Sequence, residues 1–252
     1  MCRLLAVIGK PDSDETLMIL EKFRQLAKDG HIFAHGTPGH KDGWGMSAHR
    51  RGKQIFFRKS AEDAFQDSGF TAAAEDLAKK DFDLAIGHLR KAAGSGKKMK
   101  NSQPFVFHGF TFCHNGVVYG SDKLPLKKKW REQLQSETDS EKLFYFIIQN
   151  LPRGKKISKR VLQESAKFIR QNFDYSAMNI LLTDGKKLFV LRDMNKNYWE
   201  YKKEKLSEYY TLYLGNNKRK NYKIVCSEKL KIKNVVWQAI KDKELLEINI
   251  TK

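Results

Sequence analysis

The chain opens on an unbroken apolar run, CRLLAVI over 2–8, the pattern of a strand buried on both faces. Leu17, Ile19, Leu20, Phe23 and Leu26 then recur near the helical period, which predicts a helix over 15–29 with Gly30 as its stop. GWGMSAHR, the pair Arg51-Gly52 and KQIFFRKS read as a hairpin, and a short helical stretch follows around 70–80. LAIGHLR at 84–90 is a strand, and residues 91–103 form a loop rich in Lys, Gly and Ser. PFVFHG and FTFCH give two more strands, and helical patterning returns over 139–150 and 157–172. AMNILLTDGKKLFVLRD is a hairpin turning at Asp184-Gly185. Short strands close the chain at YYTLYLG, YKIVCS, NVVW and LLEINI. Strands, then two helices, then strands again, with no linker or repeat between them, predict one α+β domain with mainly antiparallel sheets over 2–252.

Composition narrows the function classes. A hydrophobic content of 40% in 252 residues suffices for a packed core. No apolar run approaches the ~20 residues that cross a bilayer, and the N-terminus turns acidic too soon for a secretory signal, so a cytoplasmic protein without membrane association is expected. The three cysteines, Cys2, Cys113 and Cys226, lie far apart, without metal spacing or a disulfide framework, so no metal site is expected. The net charge is +19, and from Lys186 onward 17 basic residues stand against 8 acidic ones. Lysine supplies most of this excess, as on a surface rich in ion pairs. There is no helix-turn-helix, RNP motif or zinc module, and nucleic acid is not an expected partner.

Five features carry candidate chemistry, each with a plainer alternative. If Met1 is removed, Cys2 bears both a thiol and an α-amine, whose ordinary pKa of ~7.7–8 suits a base at neutral pH. Position alone favours a small buried residue at the start of a strand. HNG at 114–116 reads equally as a hairpin turn or as an oxyanion hole built from an Asn amide and the next backbone N–H. In GHLRKAAG at 87–94, Arg90 closes a strand and could grip a carboxylate with two N–H donors or pair on the surface; His88 reads as a satisfied structural histidine. SETDSEKLF at 136–144 has helix-capping chemistry, with Asp139 as the alternative acceptor for a cationic amine. GHKDGWG at 39–45 is a tight turn into a strand or a turn brought close to a substrate.

Taken in order, Cys2, HKDGWG, HLR, NSQPF, HNG and TDSE resemble the class II (Ntn-type) glutamine amidotransferase domain, and GHKDGWG, TDSE and the late CSE at 226–228 resemble its stand-alone YafJ-type members. The resemblance runs from residue 2 to about 230. It implies an Ntn-hydrolase αββα four-layer sandwich. It implies Cys2 as nucleophile with its own α-amine as base, and Asn115 and Gly116 as the oxyanion hole. Arg90 and Asp139 match the positions that hold the glutamine α-carboxylate and α-amino group. Gly43 falls in the turn beside the nucleophile, and Asn101 matches a structural position. Lys91, Ala92 and Ala93 depart from the Trp and Thr-His that often follow the arginine in synthase-linked members, which predicts a substrate loop that closes differently.

The expected function is amidohydrolysis that releases ammonia from the glutamine side chain through a cysteinyl thioester, without a cofactor. A separate synthase subunit would be the partner if the ammonia is transferred. The alternatives are hydrolysis of a γ-glutamyl amide or peptide by the same chemistry and, in a different class, a catalytically inert basic nucleic-acid-binding protein on the same fold.

Overall fold

The computed structural model describes residues 2–32, 37–152, 157–197 and 209–250. The apolar opening run forms strand β1 (Arg3–Gly9), in which all but Gly9 are buried. Helix α1 (Ser13–Asp29) begins where the Asp12 carboxylate accepts the Glu15 N–H, and ends at Gly30, whose N–H returns to Leu26 O. β2 (Trp44–Arg50) and β3 (Lys53–Ser60) form the expected hairpin, α2 (Ser68–Ala78) the short helix, and β4 (Leu84–Leu89) the strand before Arg90. β5 (Phe105–Phe107) and β6 (Phe110–Asn115) follow. A single helical turn, α3 (Lys128–Arg131), precedes α4 (Asp139–Gln149) and α5 (Lys159–Asn172). The hairpin at Asp184-Gly185 is β7 (Asn179–Thr183) with β8 (Lys187–Leu191). The tail supplies β9 (Tyr213–Asn217), β10 (Tyr222–Cys226), β11 (Val235–Ala239) and β12 (Leu245–Asn249).

These strands make two sheets, β11-β9-β10-β1-β4-β2-β3 and β12-β8-β7-β6-β5, in which every pairing is antiparallel. The alternation of side chains along each strand assigns the faces. Leu5 and Val7 point with Ala85 and Leu89 toward α1 and α2, against Phe23, Phe70 and Leu77. Leu4, Ala6 and Ile8 point the other way and meet Cys113, Leu181, Leu188 and Val190 of the second sheet. Phe112, Ile180 and Leu182 cover the far side of that sheet and pack on Phe144, Ile148 and Ile169 of α4 and α5. Three apolar layers between four layers of structure give an α/β/β/α sandwich, as the resemblance implied.

Two features of this topology position the site. β1 lies in the middle of its sheet, flanked by β4 and β10, so residue 2 is fixed by neighbours from both halves of the chain. Cys2 continues the even-numbered face of β1 and therefore sits at the rim of the layer between the sheets, where β6 ends at Asn115. Among the described residues, no helix is long and apolar enough to cross a membrane.

Candidate active site

Cys2 and Asn115 come from different sheets and meet directly. With Met1 in place, the Cys2 backbone N–H donates to Asn115 Oδ1 at 2.9 Å. An amide group is planar, so anchoring Oδ1 also fixes Nδ2. That nitrogen is buried and has no hydrogen-bond partner among the described residues. A buried amide donor left unused is costly unless something else occupies it. The HNG segment is not a hairpin turn, because β6 runs through Asn115 and pairs with β5 and β7, with Asn115 opposite Asn179. Gly116 follows with φ +154, and a Cβ there would overlap the Ala177 carbonyl oxygen. Only glycine lets the chain turn this close to its neighbour.

The residues around Asn115 are held by side-chain amides and hydroxyls. The Gln103 carboxamide holds the β6 backbone at His114 with both of its ends, donating to His114 O at 3.1 Å and accepting the His114 N–H at 2.6 Å. His114 points to the helical side, with Nε2 3.1 Å from Ala177 O and Nδ1 3.0 Å from Ser140 Oγ. Burial holds its pKa below the ordinary histidine range, against the opposing pull of Asp139. Thr138 caps α4 and Glu141 reaches back to the Ser136 N–H at 2.6 Å, so the capping reading of TDSE holds for those two residues. Asp139, the first residue of α4, faces the HNG strand, where Oδ2 accepts the Val118 N–H at 2.8 Å.

Arg90 emerges from the end of β4 and is 3% exposed. Its backbone is bonded to the GHKDGWG turn in both directions: Arg90 N–H to Gly43 O at 2.8 Å and Asp42 N–H to Arg90 O at 2.9 Å. Gly43, at φ +127, lies so close to Ser60 O and Ser102 Oγ that a side chain has no room. The Arg90 guanidinium donates to Asp42 O at 3.1 Å, Ser95 O at 3.1 Å and Ser95 Oγ at 2.7 Å. Asn101 ties this loop to the Asp139 region, donating to Gly96 O and accepting the Glu137 N–H. Lys91, one of the departures from the resembled pattern, places its carbonyl 3.9 Å from Cys2 Sγ and its ammonium on Thr37 O and Gly39 O.

Two expectations change. His88 is less well satisfied than a structural histidine should be: it is fully buried, neither ring nitrogen makes a well-formed hydrogen bond among the described residues, and the His114 backbone offers only a weak contact. It faces the apolar layer between the sheets, and burial first, then Arg90 and His114, push its pKa down to about 3. Arg3 carried no functional expectation, yet it is among the largest fully buried side chains of the described residues. Its Nε pairs with Glu228 at 2.8 Å, its Nη1 lies 3.5 Å from Cys2 O, its Nη2 donates to His31 O, and its guanidinium covers the Tyr209 ring at 4.5 Å. The CSE segment thus acts on the strand that follows Cys2 twice, since Ser227 also exchanges hydrogen bonds with Leu4 at 2.9 and 3.1 Å. A lone arginine inside an apolar strand was the signal available in the sequence.

Cys113 and Cys226 are buried in the core. Burial raises Cys113 well above the ordinary thiol range and pushes Cys226 up to about 12. Among the described residues, no three His, Cys, Asp or Glu side chains are grouped to hold a metal ion.

Comparison with known proteins agrees with the fold. The family model for class II glutamine amidotransferases matches residues 1–249. The YafJ protein of Escherichia coli (strain K12), which carries the name glutamine amidotransferase, is 26% identical over 206 residues, 79% of this chain and 75% of the relative. Among solved structures, the glutamine phosphoribosylpyrophosphate amidotransferase of B. subtilis superposes with a TM-score of 0.65 at 18% identity, over 98% of this chain but 47% of its own. A glutamine aminotransferase class-II domain protein of Silicibacter pomeroyi superposes with a TM-score of 0.59 at 17% identity, over 98% of this chain and 95% of its own. The chain therefore spans about half of the phosphoribosylpyrophosphate enzyme and nearly all of the shorter protein. A family model covering almost every residue, together with the same fold in these structures, shows that the chain belongs to the class II glutamine amidotransferases.

Proposed function

We propose that residues 2–252 form one amidohydrolase domain that releases ammonia from the side-chain amide of glutamine, with Cys2 as nucleophile. One observation carries the reading: Asn115 Oδ1 is fixed on the Cys2 nitrogen while Asn115 Nδ2 stays buried beside it, without a partner among the described residues. That is an oxyanion donor held in place before substrate arrives.

Removal of Met1 turns the Cys2 nitrogen into an α-amine, which Asn115 Oδ1 continues to orient. The amine takes the thiol proton and the thiolate attacks the amide carbon. Asn115 Nδ2 and the Gly116 N–H receive the oxyanion. The C–N bond breaks, the proton passes from the amine to the departing ammonia, and water hydrolyses the γ-glutamyl thioester to glutamate. Asp139 keeps carboxylate capacity beyond its bond to Val118 and would accept the substrate amine.

Arg90 would hold the substrate carboxylate, at the expense of Ser95. With Nη2 committed twice to Ser95, the remaining donors, Nε and half of Nη1, do not form a parallel pair. A bidentate grip therefore requires the 91–98 loop to yield its serine. The same grips fit the α-amino acid end of a γ-glutamyl amide or peptide, so both substrate classes use this site. Transfer of the ammonia to a separate synthase subunit would add a partner without changing the chemistry.

The test is to treat the protein with a glutamine-analogue chloroketone and map the modified peptide. Labelling of Cys2, with loss of glutaminase activity in Cys2→Ala and an intact mass lacking Met1, is the expected result. Labelling at Cys113 or Cys226, or turnover retained in Cys2→Ala, refutes the assignment.

A further inference from the structure

One cluster of basic side chains lies away from Cys2. β1 runs seven residues at ~3.3 Å each, so its far end lies roughly 20 Å from the nucleophile. There the ends of both sheets leave a cleft of about 800 Å³, walled by the end of β1, the β2–β3 turn, the β9–β10 turn and the end of β12. Six basic side chains line it, Lys10, Arg50, Arg51, Lys218, Lys220 and Lys223, against one acidic residue, Asp83. The Asp83 carboxylate is already taken by Arg50 at 2.5 Å and the Arg51 N–H at 2.7 Å. Lys10 and Arg50 also pair with Asp81, and Lys220 with Asp12 and Glu15. Arg51, Lys218 and Lys223 have no carboxylate partner among the described residues, so the cleft keeps a positive surplus.

Arg51 marks the cleft as more than a lysine-rich surface. It sits at φ 49, followed by Gly52 at φ 77, in a two-residue hairpin turn. Such turns favour Asn-Gly, because a long side chain is strained at positive φ. The Arg51 side chain makes no hydrogen bond or ion pair among the described residues that would explain its presence there. It does line the cleft.

The shape and chemistry narrow the ligand. A concave space of this size suits a small molecule. Its one aromatic, Tyr222, is buried with its hydroxyl bonded to Glu15 and Asn217, so no ring is offered for stacking bases, as a single-stranded nucleic-acid site would require. Cations beside the amides of Asn216 and Asn221 are instead suited to phosphate oxygens. We propose that this cleft binds a linear oligophosphate chain, either free or carried by a nucleoside polyphosphate.

Calorimetry on the full chain tests this with tripolyphosphate, ATP, AMP and a single-stranded RNA oligomer. Tripolyphosphate or ATP, or both, should bind, with AMP at least about tenfold weaker, since charge-assisted contacts to the chain supply the affinity. Tripolyphosphate alone identifies a free chain as the ligand; ATP alone identifies a nucleotide. Arg51→Asn suits the turn and should fold at least as well, yet weaken binding about tenfold, and Lys218→Glu/Lys223→Glu should weaken it further. Lys128→Glu/Lys129→Glu, equal in charge change but elsewhere, should not. Cys2→Ala should bind like the parent, which separates this site from the amidohydrolase reading. Absence of binding by both ligands, indifference to the cleft substitutions, or tighter binding of RNA than of tripolyphosphate overturns the proposal.

Discussion

Removing the Glu228 carboxylate isolates the buried Arg3 guanidinium, and its cost follows from the contacts. Arg3 is 1% exposed, and Glu228 Oε2 serves both its Nε and the His31 N–H. In Glu228→Ala the cation keeps, among the described residues, the carbonyls of Cys2 and His31 and the side chain of Tyr209, none of them a carboxylate. Stranding a buried charge costs ~3–5 kcal/mol. Glu228 is itself 30% exposed, so water can replace part of the carboxylate, which brings the expected loss to about 2–3 kcal/mol. For a chain of this size that is a drop in Tm of roughly 4–12 °C. Arg3→Met/Glu228→Ala removes both charges and should recover at least half of the loss, because an apolar side chain does not need the pair. The assay is urea unfolding of the parent, both single variants and the double variant, with the rate of Cys2 alkylation measured in parallel. Arg3 holds the Cys2 carbonyl, so the single variants should also change that rate. Equal stability of Glu228→Ala and the parent, or a double variant that loses the sum of the singles, would refute the idea that Arg3 depends on this carboxylate.

Asn115→Ala should lower kcat by ~10²–10³ with KM nearly unchanged, whereas Arg90→Ala should chiefly raise KM; steady-state glutaminase kinetics separate the two. Gly116→Ala should fold poorly or shift the 115–118 segment, because its Cβ has no space beside Ala177 O, and thermal melting compared with Gly94→Ala, where nothing lies within 4 Å, reads the difference. His49 and His88 have pKa values depressed to about 4 and about 3, in each case mainly by burial. The unfolded chain therefore binds more protons than the folded one below about pH 6.5, and stability falls as pH drops toward those values. At ~1.4 kcal/mol per unit, the two together remove on the order of 5 kcal/mol between pH 6.5 and 4.5, so urea midpoints should fall steeply there, and a flat profile would contradict the neutral buried histidines.

The positions of most strands and helices were legible in the sequence, because period-2 and period-3.6 patterns are local and burial follows them directly. That is why β1, α1 and the hairpin at Asp184-Gly185 lie where the pattern puts them. The candidate site was legible in a different way, as an order of short motifs whose individual readings were open. Asn115-Gly116 could equally have been a turn, and only the pairing of β6 with β7 decides against it. TDSE proved to hold helix-capping residues and the Asp139 carboxylate side by side.

The sequence by itself determined the alternation of buried and exposed positions, the basic tail and the identity of the reactive groups. Tertiary structure decided which distant residues share a space. β12 joins β8 while β9, β10 and β11 join the other sheet, a division that four similar short strands do not announce. Arg3 finds Glu228 across 225 residues, and Cys2 finds Asn115 across 113. His88, which local pattern reads as an ordinary strand histidine, becomes a buried ring without a well-formed hydrogen bond among the described residues only once the second sheet covers it. Local patterns fix which face a side chain takes, because that depends on backbone geometry alone. Partners across a hundred residues depend on how the layers close over one another, and no local period encodes that.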